Sequence, residues 1–430
     1  MRTRFIATLC ALLTVSFFCN TTFAAEEEPT GQSAKATDVF GRKGGYFHPY
    51  LSISENYNDN VYNTNTNTIS DSLTVISPGI WLAVPGTKEP LLNLSTSTAT
   101  PGGIALSRDK TEYFKRYQLY LLYGADIIRY QDETSEDTED HRAEAFFQYN
   151  LKGGLSIDLI DQYMKNHDSR GTGVSTELDM YDTNLANTAV SYDVSEKFRL
   201  RADLSRYTVD YDASRNRARD RDDTSASAYV FYKFMPRTSV FVEYEHIGVD
   251  YDINTLSDST EQHIYSGLKW DVSQKTRGKF KAGYLHKNFD RTGIKDKDDL
   301  TLELQGDYTF SPKTSVMVTG TRRINETTIQ TSNYTLAHSV SLTYAQKFTK
   351  KISANLGFTF TNDEYDGTLT VGAQTGVRTD DIYSIAPALQ YAIMDWLTAD
   401  LSYIYGERDS NFNAYDYENN TVFLRFTAGI

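Results

Sequence analysis

Five oxygen-bearing side chains, Asp250, Asp252, Asn254, Asp258 and Glu261, stand at the ligand positions of a calcium-binding hand. Such a spacing would let carboxylates and an amide surround a hard cation. However, Thr255 occupies the place where the sharp turn needs glycine, and the flanking residues have strand character where the motif needs helices. The stretch reads at least as well as a solvated acidic loop, so no resident metal and no cofactor is expected. Signals of catalysis are thin. The chain has no Gly-x-Ser-x-Gly elbow, no phosphate loop and no zinc-ligand helix, and its seven histidines are scattered. Gly171-Thr172-Gly173 has no helix after it and reads as turn chemistry. The protein is not expected to be an enzyme.

A second set of residues is spread along the chain at alternate positions. Asp158, Arg199, Arg201, Asp203, Glu243, Glu245, Lys279, Lys281, Glu303, Asp307, Asp400 and Arg425 interleave with apolar neighbours. Arg199, Arg201 and Asp203, for example, alternate with Phe198, Leu200, Ala202 and Leu204. A strand of this kind separates two solvents, one for each face. Mixed acidic and basic residues on the inner face suit the lining of a hydrated pore, where each of them could contact a passing solute or simply brace the wall. Tyr229, Phe231 and Phe241 share that face. Their rings could stack on sugars, or form an interfacial girdle if the register slips.

The elements that must carry these residues are long strands. Eighteen alternating segments of roughly a dozen residues run from 46–57, 71–84 and 116–131 to 379–393, 396–408 and 419–430. Soluble strands average about 5–6 residues, whereas a tilted strand needs about 9–11 to cross a bilayer. Tight turns, such as Lys152-Gly153 and Ser311-Pro312-Lys313, alternate with longer polar loops, such as 212–220 and 365–378. This is the rhythm of a transmembrane, antiparallel, up-and-down β-barrel. The expected fold is therefore all-β, a single barrel of about 18 strands over residues 46–430. Residues 85–115 break the rhythm, and are expected to form either a short strand pair around Leu91-Leu92-Asn93-Leu94 or a long periplasmic excursion.

Composition agrees. Aromatic residues make up 13% of the chain, with 31 Tyr and 22 Phe, while only 40% of it is hydrophobic. A barrel accommodates that mixture by turning rings to lipid and polar groups to water. Arg2 and Arg4, the apolar run Phe5 to Phe18 and the small residues before Ala25 read as a secretory signal over 1–24. Residues 25–45 read as a flexible periplasmic leader. Both cysteines, Cys10 and Cys19, fall inside the signal, so disulfides and thiolate sites are excluded from the mature chain. Losing Arg2 and Arg4 takes the net charge from -14 to -16, which argues against nucleic acid as a partner.

Two stretches carry resemblances. The alternation of Val422, Leu424, Phe426, Ala428 and Ile430 resembles the C-terminal signal read by the barrel-assembly machinery, with Ile430 in place of the usual aromatic. The stretch His48 to Tyr62, with Ser70-Asp71 and Thr74 to Ile80, resembles the opening hairpin of outer-membrane β-barrel porins associated with exopolysaccharide biosynthesis and export. That resemblance implies a Gram-negative outer-membrane location, lipid and lipopolysaccharide as surroundings, and periplasmic polysaccharide-export components as partners. Export of an extracellular polysaccharide is the favoured function. The alternatives are a general diffusion porin for small solutes and a barrel that only anchors a surface protein or adhesin. A general porin is expected to fold a long loop inward as a constriction, and most loops here look short.

Overall fold

The computed structural model describes residues 45–92, 94–108, 116–168, 170, 178–253, 257–273, 275–327 and 332–429. The expected signal segment and all but the last residue of the leader lie outside these residues, as do Asn254 and Gly171-Thr172-Gly173. The strands, in chain order, begin with β1 (Phe47–Asn58), β2 (Asp71–Val84), β3 (Tyr117–Tyr130), β4 (Thr138–Asn150), β5 (Leu155–His167) and β6 (Met180–Asp193). They continue with β7 (Phe198–Tyr211), β8 (Arg221–Met235), β9 (Thr238–Tyr251), β10 (Ser259–Ser273), β11 (Thr276–Phe289), β12 (Lys297–Ser311) and β13 (Thr314–Asn325). The last are β14 (Thr335–Lys347), β15 (Ile352–Tyr365), β16 (Leu369–Val371), β17 (Gln374–Gly376), β18 (Thr379–Met394), β19 (Leu397–Ser410) and β20 (Tyr417–Gly429).

Strands β16 and β17 make a small separate hairpin, and the other 18 form one antiparallel sheet. Each of these 18 pairs with its neighbours in the chain, and β20 returns to pair with β1 from Tyr50↔Gly429 to Asn58↔Thr421. The sheet is thus a closed cylinder. Closure satisfies backbone groups that no water could reach in hydrocarbon. Among the described residues no helix is long and apolar enough to cross a membrane.

The outer wall is layered. Phe47, Tyr117, Tyr192, Phe198, Tyr232, Phe310 and Trp396 are exposed near the short turns. Above them lies an aliphatic belt that includes Leu204 (62% exposed), Val242 (55%) and Leu401 (51%). Exposed Tyr163, Tyr244, Tyr284 and Tyr403 follow. Beyond these, outward positions turn acidic, with Asp182 opposite Asp210 and Asp222 opposite Asp250. Rings at both edges of an apolar band are what the two interfaces of a bilayer select.

Glycines placed opposite inward aromatics keep the inner wall thin. Tyr50 faces Gly79, Phe241 faces Gly267 and Tyr265 faces Gly283 across neighbouring strands. A Cβ on Gly79 would lie 2.2 Å from the Tyr50 ring, and one on Gly267 would lie 2.3 Å from Phe241. Each ring therefore lies flat over a neighbour that has no side chain, which shields the exposed backbone and keeps the ring out of the lumen.

Placing a charge in the belt tests the lipid-facing assignment. Val242→Arg is expected to cost about 2–4 kcal/mol near the bilayer midplane. Ser341→Arg, which points inward from the next-but-four strand, should cost much less. Urea titration of both variants folded into lipid vesicles measures the difference, and equal costs would contradict the assignment.

Candidate functional site: the lumen and its inserted segment

The lumen is shaped by the connection between β2 and β3. Chain direction places Val84 at the short-turn end of the wall, so residues 85–108 enter from that end. They then climb almost the full height. Near the tip, Ala99 O accepts a 2.7 Å bond from Glu326 N, and Thr100 O accepts one of 3.4 Å from Arg221 Nη2. Both donors stand at the long-loop ends of their strands. The tip is a tight reversal in which Thr96 bridges Ile104, and Gly102 and Gly103 adopt φ of +71° and +77°. A Cβ on Gly103 would come within 2.4 Å of the Tyr207 ring, so glycine is required there by both conformation and space.

Neither a strand pair in the wall nor a periplasmic excursion is therefore formed by the described part of 85–115: the segment folds into the lumen. Its apolar residues explain why. Leu92 and Leu94 are buried against Trp81, Tyr120, Phe146, Ile160, Leu185 and Tyr207, with Leu91 and Ile104 packed at the margin. The wall residues form rows, because Tyr120 is directly opposite Phe146, Phe146 opposite Ile160, and Leu185 opposite Tyr207. An apolar row inside a polar lumen is stable only when something apolar covers it.

Polar contacts fix the rest. Gly102 N donates to Asp223 Oδ2 (2.9 Å), and Asp223 is held by Arg221 at 3.0 Å. Ser107 donates through N and Oγ to Glu303, and its carbonyl accepts from Lys279 Nζ at 2.7 Å. Arg201 Nη1 donates to Arg108 O (2.9 Å), and Arg323 Nη1 to Ala105 O (2.6 Å). The Arg108 guanidinium lies 3.5 Å from Asp158.

The sequence-derived lining can now be placed. All twelve residues fall on the inward parity of their strands, yet they divide into groups. Asp158, Arg201, Glu243, Lys279, Lys281 and Glu303 are buried. Lys281 sits 2.9 Å from Glu243 and 3.7 Å from Glu303, and Lys279 is 3.2 Å from Glu303. Arg201 pairs with Asp203 at 2.7 Å, and Glu245 accepts from Ser227. Near the short-turn end Arg199 pairs with Asp193, and Asp307 with the exposed Arg277. Asp400 and Arg425 stand across from each other on β19 and β20, away from all of these.

The calcium-like stretch does not converge. Asp250 is exposed on the outer face, whereas Glu261 is buried on the inner face between Lys287 (3.0 Å) and His263 (2.9 Å). Asp258 caps the turn by accepting from Tyr251 N, and burial, with Asp250 and Asp290 adding, pushes its carboxyl above the ordinary range. Among the described residues no group of three or more His, Cys, Asp or Glu could hold a metal. The inner rings pack on one another, Phe231 5.1 Å from Phe241 and Tyr229 5.8 Å from Phe231, and Arg201 lies over Tyr229. Most of their faces are spent within the protein.

Sequence reasoning missed the apolar row. Phe146, Ile160, Leu185 and Tyr207 all stand at inward positions among polar neighbours, and that break in alternation was the available signal.

Residues 104–429 match the family model described as "Putative beta-barrel porin 2". Among solved structures, OccAB4 of Acinetobacter baumannii is similar at 9% identity over 90% of this chain and 100% of that one, with a TM-score of 0.45. OpdK of Pseudomonas aeruginosa is similar at 9% identity over 89% and 99%, also at 0.45. A BenF-like porin of Pseudomonas fluorescens Pf-5 gives 8% identity over 89% and 99%, again at 0.45. No curated protein matches the sequence.

Asp223 links the segment to the wall. Asp223→Ala leaves the buried Arg221 without its carboxylate and Gly102 N without its acceptor, so a loss of about 3–5 kcal/mol is expected. Asp223→Asn, which keeps the acceptor, should lose less. Equilibrium unfolding of the refolded barrel checks both, and equal stabilities for wild type and the alanine variant would refute the linkage.

Proposed function

Because this chain belongs to the beta-barrel porin 2 family, we propose that it is a passive outer-membrane channel for small hydrophilic solutes, with the inserted segment 85–108 as its constriction. The observation that carries this reading is the segment itself. Barrels of about 16–18 strands are wide enough for an aqueous channel. Here one side of that width is filled by a peptide bonded to β5, β7, β8, β11, β12 and β13. An inward-folded connection is the device expected of a diffusion porin, and it supports that reading over export of a polysaccharide. A polymer strand would have to pass a lumen already narrowed from one side. The export implied by the opening hairpin is therefore not the reading adopted.

The polar inner wall and apolar outer wall support passage over simple anchoring. No side chain in the lumen needs to do covalent chemistry for this function. Solutes would exchange water for hydroxyl, amide and charged groups along the wall, and width would set the size limit.

Two measurements test the proposal. In planar bilayers the wild type should show stable conductance steps, and replacing residues 95–106 by Gly-Gly should raise the conductance several-fold. In liposome swelling the same replacement should admit a trisaccharide that the wild type excludes. A closed wild-type barrel, or a replacement with unchanged conductance and size limit, would overturn the reading. Deletion of the protein should leave secreted polysaccharide unchanged.

A further inference from the structure

The charges of the lumen are not evenly distributed. On the side of β4–β12 the inward polar residues, among them Gln148, Asp158, Glu243, Lys281 and Lys287, are buried in mutual contacts or under the inserted segment. On the opposite side the inward residues at mid-height are mostly small and neutral, with the larger apolar Ile404 and Phe423 among them on β19 and β20. Ser341, Thr359, Ser384, Ser402 and Thr421 lie there, on β14, β15, β18, β19 and β20. The inserted segment thus covers the charged side and leaves a largely uncharged, hydroxyl-rich wall facing water.

Charges at the long-loop mouth of that open side are already spent. Arg378 pairs with Asp380 at 2.5 Å and lies over the Tyr415 ring, while Arg408 is 3.7 Å from Asp380 and lies over Tyr417. At mid-height Asp400 and Arg425 stand directly opposite each other, and the Arg425 charge acts on both Asp400 and the inward Asp126 of β3. Asp400 takes a 2.9 Å bond from Gln390 Nε2. The Arg425 guanidinium is 5.7 Å from the Phe423 ring and makes no ion pair with a described residue.

We infer, resting on the porin reading, that solute runs along one side of the lumen, between the inserted segment and β14–β20. The path takes small uncharged polyhydroxylated solutes, with the facing Asp400 and Arg425 as its charged checkpoint. The chemistry follows from the wall. Hydroxyl and amide groups both donate and accept, so they can replace a sugar's water shell bond for bond. They offer little to offset the dehydration of an ion. At the waist the guanidinium and the facing Asp400 carboxylate largely offset each other, so the intact pair gives little preference between cations and anions. The guanidinium's planar donors can also hold a hydroxyl pair in passing.

Cysteine accessibility and selectivity test this. The native cysteines are Cys10 and Cys19, both in the expected signal, so single cysteines can be introduced cleanly. Negatively charged 2-sulfonatoethyl methanethiosulfonate should reduce the current through S402C and T421C and leave S191C and S227C on the sealed side unaffected. In liposome swelling, arabinose should enter faster than lysine or glutamate. In a KCl gradient, R425Q, which leaves Asp400 unbalanced, should shift the reversal potential toward cation preference, and R425E should shift it further. Block confined to S191C and S227C would overturn the path. Faster entry of lysine or glutamate would overturn the solute class, and an unchanged reversal potential in R425E would overturn the checkpoint. A wild type without conductance would instead sink the porin reading, so the two failures are distinguishable.

Discussion

Hydrocarbon offers no partner to a peptide N–H or C=O, and that single fact governs this molecule. Every strand that crosses must give both edges to neighbours, so the first strand has to meet the last. The pairing of β1 with β20 is the geometric expression of that demand. Once the ring is closed, strand number fixes the circumference, and 18 strands enclose more space than their own inward side chains can fill. The interior must then be wet or plugged. This chain does both, with the segment between β2 and β3 lying over one side of the wall.

Burial has opposite meanings on the two faces of the wall. Exposed Leu204 and Val242 are matched to lipid, whereas buried Lys281 and Lys287 are matched to Glu243, Glu261 and Glu326. Ion pairs removed from water are costly unless each partner is satisfied. Here the cations have two carboxylates within reach, and Lys281 and Lys287 also lie near the Tyr265 and Phe289 rings. The sealed side therefore keeps its charge without presenting it to the channel.

Much of this was legible in the sequence. All 18 wall strands fall within two residues of the alternating segments, because a face in lipid and a face in water impose strict parity on side chains. The small hairpin of β16 and β17 was hidden inside the loop 365–378, where three-residue strands leave no periodic trace. The inward fold of 85–108 was not legible from the segment alone, whose leucines suit a wall strand equally well. It could be seen only by asking why Phe146 and Ile160 face water on adjacent strands, a question of register that needs the pairing. The twelve charged positions were on the inner face, but their parity could not tell that six would be buried in mutual contacts or under a peptide from elsewhere in the chain.

The separation of wall from insert has an evolutionary corollary. The bilayer constrains the staves, their tilt and their seam, and leaves little latitude there. Bore is narrowed by one connection of about thirty residues, tethered at one rim and stitched by a few polar bonds. Lineages sharing the same hoop can diverge in calibre by editing that single stretch, without renegotiating anything the membrane enforces.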